Sequence, residues 1–304
     1  MRRLGLLVVA TVMAAACAGS ATTEAEPATT AAGTAARSTT VTTTTTPVAT
    51  SVRATDPAST VRPPTIGRGD RLFPDLGSSD VDVASYDLRL DVPEQPGEVT
   101  ATLIADIEVA LDVDVLPLDA VDLDVSAVAV NGLDSTFELE NDKLVIDLPD
   151  GRERTVVAMI DYSFVPEDRR SVVGLPVGWR QSDGRSFVLN EPDGARTWLP
   201  ANDHPSDTAT WRFDVTVAVE RVAVANGELR RRGDVDGAWV WFQEEPMSTY
   251  LVQLIVGEYE IVDGGVVRSI AGRTIPLTHV VPAGDALTFA RAVDGIDEQV
   301  AFFE

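Results

Sequence analysis

Apolar and polar residues alternate in short runs along most of this chain. Residues 85–92 alternate, and so does the longer run 98–111. Residues 120–125 and 127–130 follow, closed by Asn131-Gly132, a pair suited to a two-residue hairpin turn. Residues 137–139 and 144–148 flank Glu140-Asn-Asp-Lys143, which predicts a second hairpin. The run 155–164 is rich in β-formers, and 211–219, 239–242 and 250–259 predict further strands separated by Pro and Gly clusters. Many short strands joined by turns predict an all-β fold, an antiparallel sandwich or open barrel with one face of each sheet buried. No helical period of any length precedes residue 285. From 285 to 304, Leu287, Ala290, Val293, Ile296, Val300 and Phe303 recur at steps of three and four, which predicts one amphipathic helix.

The first 68 residues follow no such pattern. Arg2 and Arg3 precede an apolar stretch from Leu4 to Met13, shorter than the roughly 20 residues a membrane span needs. This is the form of an export signal. Ala14-Ala15-Ala16-Cys17 resembles a bacterial lipobox, with Ala14 where Leu is usual, and Cys17 is the candidate lipidation site. The alternative is an ordinary secretory signal cut in the Ala-rich stretch. Residues 18–68 are dominated by Ala, Thr, Ser, Pro and Val and lack aromatic residues until the β body begins. Such a segment buries too little apolar surface to offset its ordering entropy, so it predicts a tether.

Charge divides at the same point. Residues 1–68 carry a net charge of +3 and residues 69–304 a net of −27, for −24 overall. That balance excludes nucleic acid as a partner, because nothing offsets phosphate repulsion. A single Cys excludes an internal disulfide framework. His204 and His279 are the only histidines and stand too far apart to form a zinc-binding pair on one helix.

One segment departs from strand-and-turn sequence. Residues 187–211 read FVLNEPDGARTWLPANDHPSDTATW, with Glu191-Pro192, Gly194-Ala195-Arg196, Trp198 and Asn202-Asp203-His204-Pro205 close together. The plain expectations here are a turn role for His204, capping by Asp203 and Asp207, packing by Trp198 and Trp211, and an ion pair by Arg196 within the loop. Arg230-Arg231-Arg232 reads as a hairpin tip paired with Asp234 and Asp236. The loop resembles that of the aminopeptidase N family of zinc metallopeptidases in the form E-P-x-G-A-R-x-W-x-P-x-N-D-H-P-S-D. Tyr86-Asp-Leu-Arg-Leu90, Leu118-Asp-Ala-Val-Asp-Leu123, Val224-Ala-Asn-Gly-Glu-Leu229 and Pro246-Met-Ser-Thr-Tyr-Leu251 with Val256-Gly257-Glu258-Tyr259 resemble further family segments in the same order.

The resemblance implies a β-sandwich or saddle over residues 69–284, which in the family packs on a thermolysin-like catalytic domain and closes one side of its cleft. It implies that residues 285–304 begin that domain. The G-A-M-E-N and H-E-x-x-H segments of the family are not in this sequence, so the chain alone is expected to be inactive and to hold no cofactor, with zinc belonging to the complete enzyme. Glu191, five residues before Arg196, matches the family position that holds the free α-amino group of the substrate. The expected partners are therefore a missing or separate catalytic domain, peptides with a free N-terminus, and a membrane through the lipidated Cys17. The expected location is the outer face of a bacterial cell membrane, or the exterior as a secreted protein. The alternative function is a non-catalytic extracytoplasmic β-sandwich that binds peptide or another protein.

Overall fold

The computed structural model describes residues 61–182, 184–270, 272–285, 289 and 295–303. The signal region 1–17 with Cys17, and the tether as far as residue 60, lie outside the described residues.

The body is all-β. Its largest sheet has eight strands in the order β14-β15-β12-β1-β2-β8-β4-β5. Their ranges are β1 Val81–Asp91, β2 Val99–Val109, β4 Asp124–Val130, β5 Leu133–Asp134, β8 Thr155–Phe164, β12 Ala209–Thr216, β14 Glu228–Arg231 and β15 Ala238–Met247. A five-stranded sheet runs β13-β16-β11-β10-β9, built from β9 Arg169–Arg170, β10 Pro176–Ser182, β11 Arg185–Leu189, β13 Val222–Ala225 and β16 Leu254–Gly257. A three-stranded sheet joins β3 Val115–Asp119, β7 Lys143–Asp147 and β6 Phe137–Glu140. The hairpin of β17 Tyr259–Arg268 and β18 Thr274–Pro282 stands as a two-stranded sheet. Pairing is antiparallel throughout except between β1 and β12, which run parallel.

Period-two patterning accounts for the large sheet. Val99, Ala101, Leu103, Ala105, Ile107 and Val109 of β2 are buried, and Val156, Ala158, Ile160, Tyr162 and Phe164 of β8 join them. The intervening positions of β2 and β8 are exposed or half-buried and carry mostly Thr, Asp, Glu and Ser. In β1 the buried set runs Val81, Val83 and then Tyr86, Leu88, Leu90, because a bulge between Val83 and Ser85 shifts the phase by one residue. A strict alternation therefore starts only at 85, where the sequence pattern begins. Both predicted hairpins form. Asn131 and Gly132, then Asn141 and Asp142, all take positive φ, as two-residue turns of this kind require.

Three expectations change. The strand read over 250–259 is a 3₁₀ turn at Thr249–Leu251, then β16, then the start of β17. Residues 120–123 are not strand; β4 begins at Asp124. The helix expected over 285–304 is broken at Gly295, whose φ of 84° lies outside helical space; beyond the break α1 spans Ile296–Phe303, and before it Phe289 is helical. Phe302 and Phe303 on α1 are exposed.

The body also holds residues 62–68, the end of the segment expected to be a tether. The Arg62 guanidinium pairs with both oxygens of Asp80 and with Asp112. Gly67 bridges Ser78, so residues 62–80 form a strap along the body.

Candidate functional site

The loop between β11 and β12, residues 190–207, carries most of the family-like motif. Its start is closed by Gly194 N–H donating to Asn190 O at 2.7 Å, before a single 3₁₀ turn at Ala195–Thr197. The Asn190 side chain is buried and fixes both flanks. Its Nδ2 donates to Val252 O at 2.7 Å, and its Oδ1 accepts from Trp198 Nε1 at 2.9 Å. Trp198 is fully buried and meets Trp179 edge-on at 5.7 Å. Gly194 is required by close approach: a Cβ there would lie 2.4 Å from Leu189 O and 2.8 Å from Gly178 N.

The second half of the loop is held by buried polar side chains. Asn202 receives Ser78 N–H on Oδ1 at 2.7 Å, donates from Nδ2 to Val81 O at 2.9 Å and to Asp207, and its own N–H reaches the Tyr86 hydroxyl at 3.1 Å. Asp207 also accepts from Val83 N at 3.3 Å. Asp203 accepts from Arg196 N at 3.2 Å and from the Thr249 hydroxyl. Tyr86 stacks on Trp211 at 4.2 Å, so the network rests on the aromatic core of the large sheet.

These bonds converge on Asp119. It pairs backbone to backbone with Ala201, N–H to carbonyl in both directions. Its Oδ2 accepts from Gly77 N and Asp203 N, each at 2.9 Å. Its Oδ1 accepts from Lys143 Nζ at 2.5 Å, and Lys143 also donates to Gly77 O at 3.0 Å. Asp119 and Lys143 are opposite residues of β3 and β7, and both are buried. Sequence reasoning did not single out this pair. The signal was present: Lys143 is the only Lys in the chain.

The other motif residues fall as the plain expectations had them. Arg196 pairs with Asp193 at 3.1 Å. Arg231 pairs with Asp236, and Arg232 with Asp234. His204 Nδ1 lies 2.8 Å from the Ser206 hydroxyl and accepts from Ser206 N at 3.2 Å, a turn role. Among the described residues no group of three or more His, Cys, Asp or Glu side chains is arranged to hold a metal ion.

Glu191 stands apart. Asp193, Asp203 and Asp207 of the same loop are buried and bonded, whereas Glu191 is exposed and its carboxylate has no hydrogen bond or ion pair with any described residue. The loop thus presents one free carboxylate from a backbone fixed on both sides.

The Peptidase M1 N-terminal domain family matches residues 83–251. The chain belongs to the M1 family of peptidases. It is 34% identical over 151 residues to Probable aminopeptidase 1 of Saccharolobus solfataricus, covering 48% of this chain and 18% of that protein. It is 30% identical over 204 residues to Leucyl aminopeptidase of the same organism, covering 64% and 25%. Among solved structures, a mutant M1 zinc metallopeptidase from Deinococcus radiodurans bound to a Tyr-Ser-Ala substrate is 30% identical, with TM-score 0.65, covering 72% of this chain and 51% of that one. A mutant two-domain M1 zinc metallopeptidase bound to L-tryptophan is 32% identical, with TM-score 0.65, covering 72% and 52%. The chain spans a quarter or less of these curated relatives and about half of these solved structures. It carries the M1 N-terminal β domain.

Two predictions concern the network. Lys143→Met leaves Asp119 buried without its cation. The expected loss is about 3–5 kcal/mol of unfolding free energy in a urea titration, and a loss under about 1 kcal/mol would show that the backbone donors suffice for Asp119. The second concerns Asp203, whose carboxyl is pushed up to about 7 from its ordinary 3.8, first by burial and then by Asp119. A raised carboxyl favours the folded state below its unfolded value, and that contribution is lost as pH rises from about 4 to 7. Asp203→Asn keeps the shape and removes the titration. Relative to the variant, the natural protein should lose stability between about pH 4 and pH 7, and parallel pH–stability curves would refute this assignment.

Proposed function

We propose that this chain is the substrate-facing N-terminal part of a zinc aminopeptidase. In this reading the β body closes one side of the active site, and Glu191 receives the α-ammonium group of a peptide. The free carboxylate of Glu191, on a loop whose other acids are all engaged, is the observation that carries it. An ammonium group offers a carboxylate short charge-assisted hydrogen bonds, and a peptide with a blocked N-terminus offers none. A carboxylate fixed by its backbone makes those bonds without first ordering the loop. That solved M1 relatives are bound to L-tryptophan and to Tyr-Ser-Ala supports ligands of this chemistry. Zinc and the residues that use it belong, in this reading, to the portion of the M1 enzyme that this chain does not match. The chain contributes binding and orientation only.

The lipobox-like Ala14-Ala15-Ala16-Cys17 supports anchoring through a diacylated Cys17 on the outer face of a bacterial membrane, with residues 18–61 as spacer.

Glu191→Ala in the complete peptidase should cut kcat/KM on free-amine peptides about ten- to hundredfold, as expected from losing a charge-assisted bond worth ~1.5–3 kcal/mol. Unchanged kinetics on such substrates would remove Glu191 from the site. Cys17→Ser should move the exported protein from the membrane fraction to the soluble fraction. A variant that stays membrane-bound would rule out the lipid anchor.

A further inference from the structure

The Asp119–Lys143 pair has the geometry of an amide that has not yet closed. The two residues stand opposite each other on β3 and β7, and each adjoins a fully buried Leu, Leu118 and Leu144. Their side chains are 0% and 3% exposed, so bulk water does not compete for either group. Lys143 Nζ lies 2.5 Å from Asp119 Oδ1. Cγ is one C–O bond further, which brings the nitrogen close to the separation of about 3–3.5 Å from which bond formation proceeds. Asp119 Oδ2 accepts from Gly77 N and Asp203 N, each at 2.9 Å. Two backbone donors converging on one carboxyl oxygen are the arrangement that stabilises an oxyanion. The Asp203 carboxyl, pushed up to about 7 by burial and then by Asp119, holds its proton in mildly acid solution and so places no second charge beside that oxygen.

We infer that Asp119 and Lys143 form a self-modification site, at which the chain closes an amide between Asp119 Cγ and Lys143 Nζ. The ammonium first passes one proton to Oδ1 along the existing hydrogen bond. The free amine adds to Cγ, and the negative charge that develops on Oδ2 meets the Gly77 and Asp203 N–H groups. A second nitrogen proton passes to the Oδ1 hydroxyl, the Cγ–Oδ1 bond breaks, and Oδ1 leaves as water. One carboxylate and one ammonium become one amide and one water, with no oxidant, cofactor or other reactant. The product fits the site. Its N–H has Gly77 O, which Nζ already reaches at 3.0 Å, and its carbonyl oxygen keeps the two backbone donors of Oδ2. The step also removes two buried charges, each held at a desolvation cost. The bond ties β3 to β7 where the strap and the site loop meet, in a chain whose single Cys allows no internal disulfide. A cross-link there restricts the unfolded chain as a disulfide does.

The single Lys makes the test direct. A Lys-specific endoproteinase has one cleavage point in the 304-residue chain, Lys143, and cuts there only if the amine is free. The full chain is held folded in mildly acid buffer, then unfolded in urea and digested. The expected result is a chain that stays in one piece. Trypsin should then release a peptide spanning residues 90–152, uncut at Lys143 and lighter than its sequence by one water, with no backbone fragments between residues 119 and 143 in its mass spectrum. Asp119→Ala, digested in the same denaturant, should be cut at Lys143 and show full mass whether or not it folds. Cleavage of the natural chain at Lys143, giving peptides 90–143 and 144–152 of full mass, overturns the inference. A missing water with Lys143 still cut places the dehydration elsewhere and also overturns it. An uncut Lys143 in a peptide heavier than its sequence, or an Asp119→Ala chain that resists cleavage, does the same.

Discussion

The arrangement of the site loop depends on one buried ion pair, Asp119 with Lys143. Removing two charges from water costs several kcal/mol per ion, and attraction repays this only when the remaining hydrogen-bonding capacity is also met. Here it is met. One Asp119 oxygen takes the ammonium, the other takes two backbone N–H groups, and the ammonium finds the Gly77 carbonyl as well. The groups that meet there come from three places: the strap at Gly77, the β3–β7 sheet and the loop at Asp203. A hydrophobic pair of similar volume would fill the space but would not select which backbone groups must face it. The pair therefore fixes how strap, sheet and loop are registered against one another.

From that anchor the loop's acids divide by role. Asp203 and Asp207 lie inside, where they answer backbone N–H groups that no strand ladder reaches. Burial raises both carboxyls above their ordinary range, to about 7 and about 6, so they are held at an electrostatic cost. Asp193 neutralises Arg196 at the turn. Glu191 alone is left facing out, and the rigidity created by its neighbours gives a free carboxylate a defined position.

The outward face of the eight-stranded sheet is mainly acidic. Outward positions of the eight-stranded sheet carry Asp82, Asp87, Asp91, Asp106, Glu108, Asp161 and Asp214, partly matched by Arg89 and Arg212. Such a face repels its own kind and stays hydrated.

The strands of the large sheet were legible in the sequence because one buried and one hydrated face impose period two. The turns at Asn131-Gly132 and Asn141-Asp142 were legible because few residues accept positive φ. β3 was not: Val115–Asp119 is buried at nearly every position and contains Pro117, so it neither alternates nor favours a strand by composition. The break at Gly295 was not legible because periodicity carries no information about the backbone there. The motif 190–207 identified the family, and counting along it gave Glu191 as the candidate for the substrate amine. The sequence by itself determined the fold class, the charge division and the family, since each depends on residue types at local spacings. Only the tertiary structure decided that the single Lys is a buried partner of Asp119, and that Asn202 and Asp207 of the loop answer backbone N–H groups of Ser78 and Val83. Those are contacts across tens to more than a hundred residues, and no local pattern encodes them.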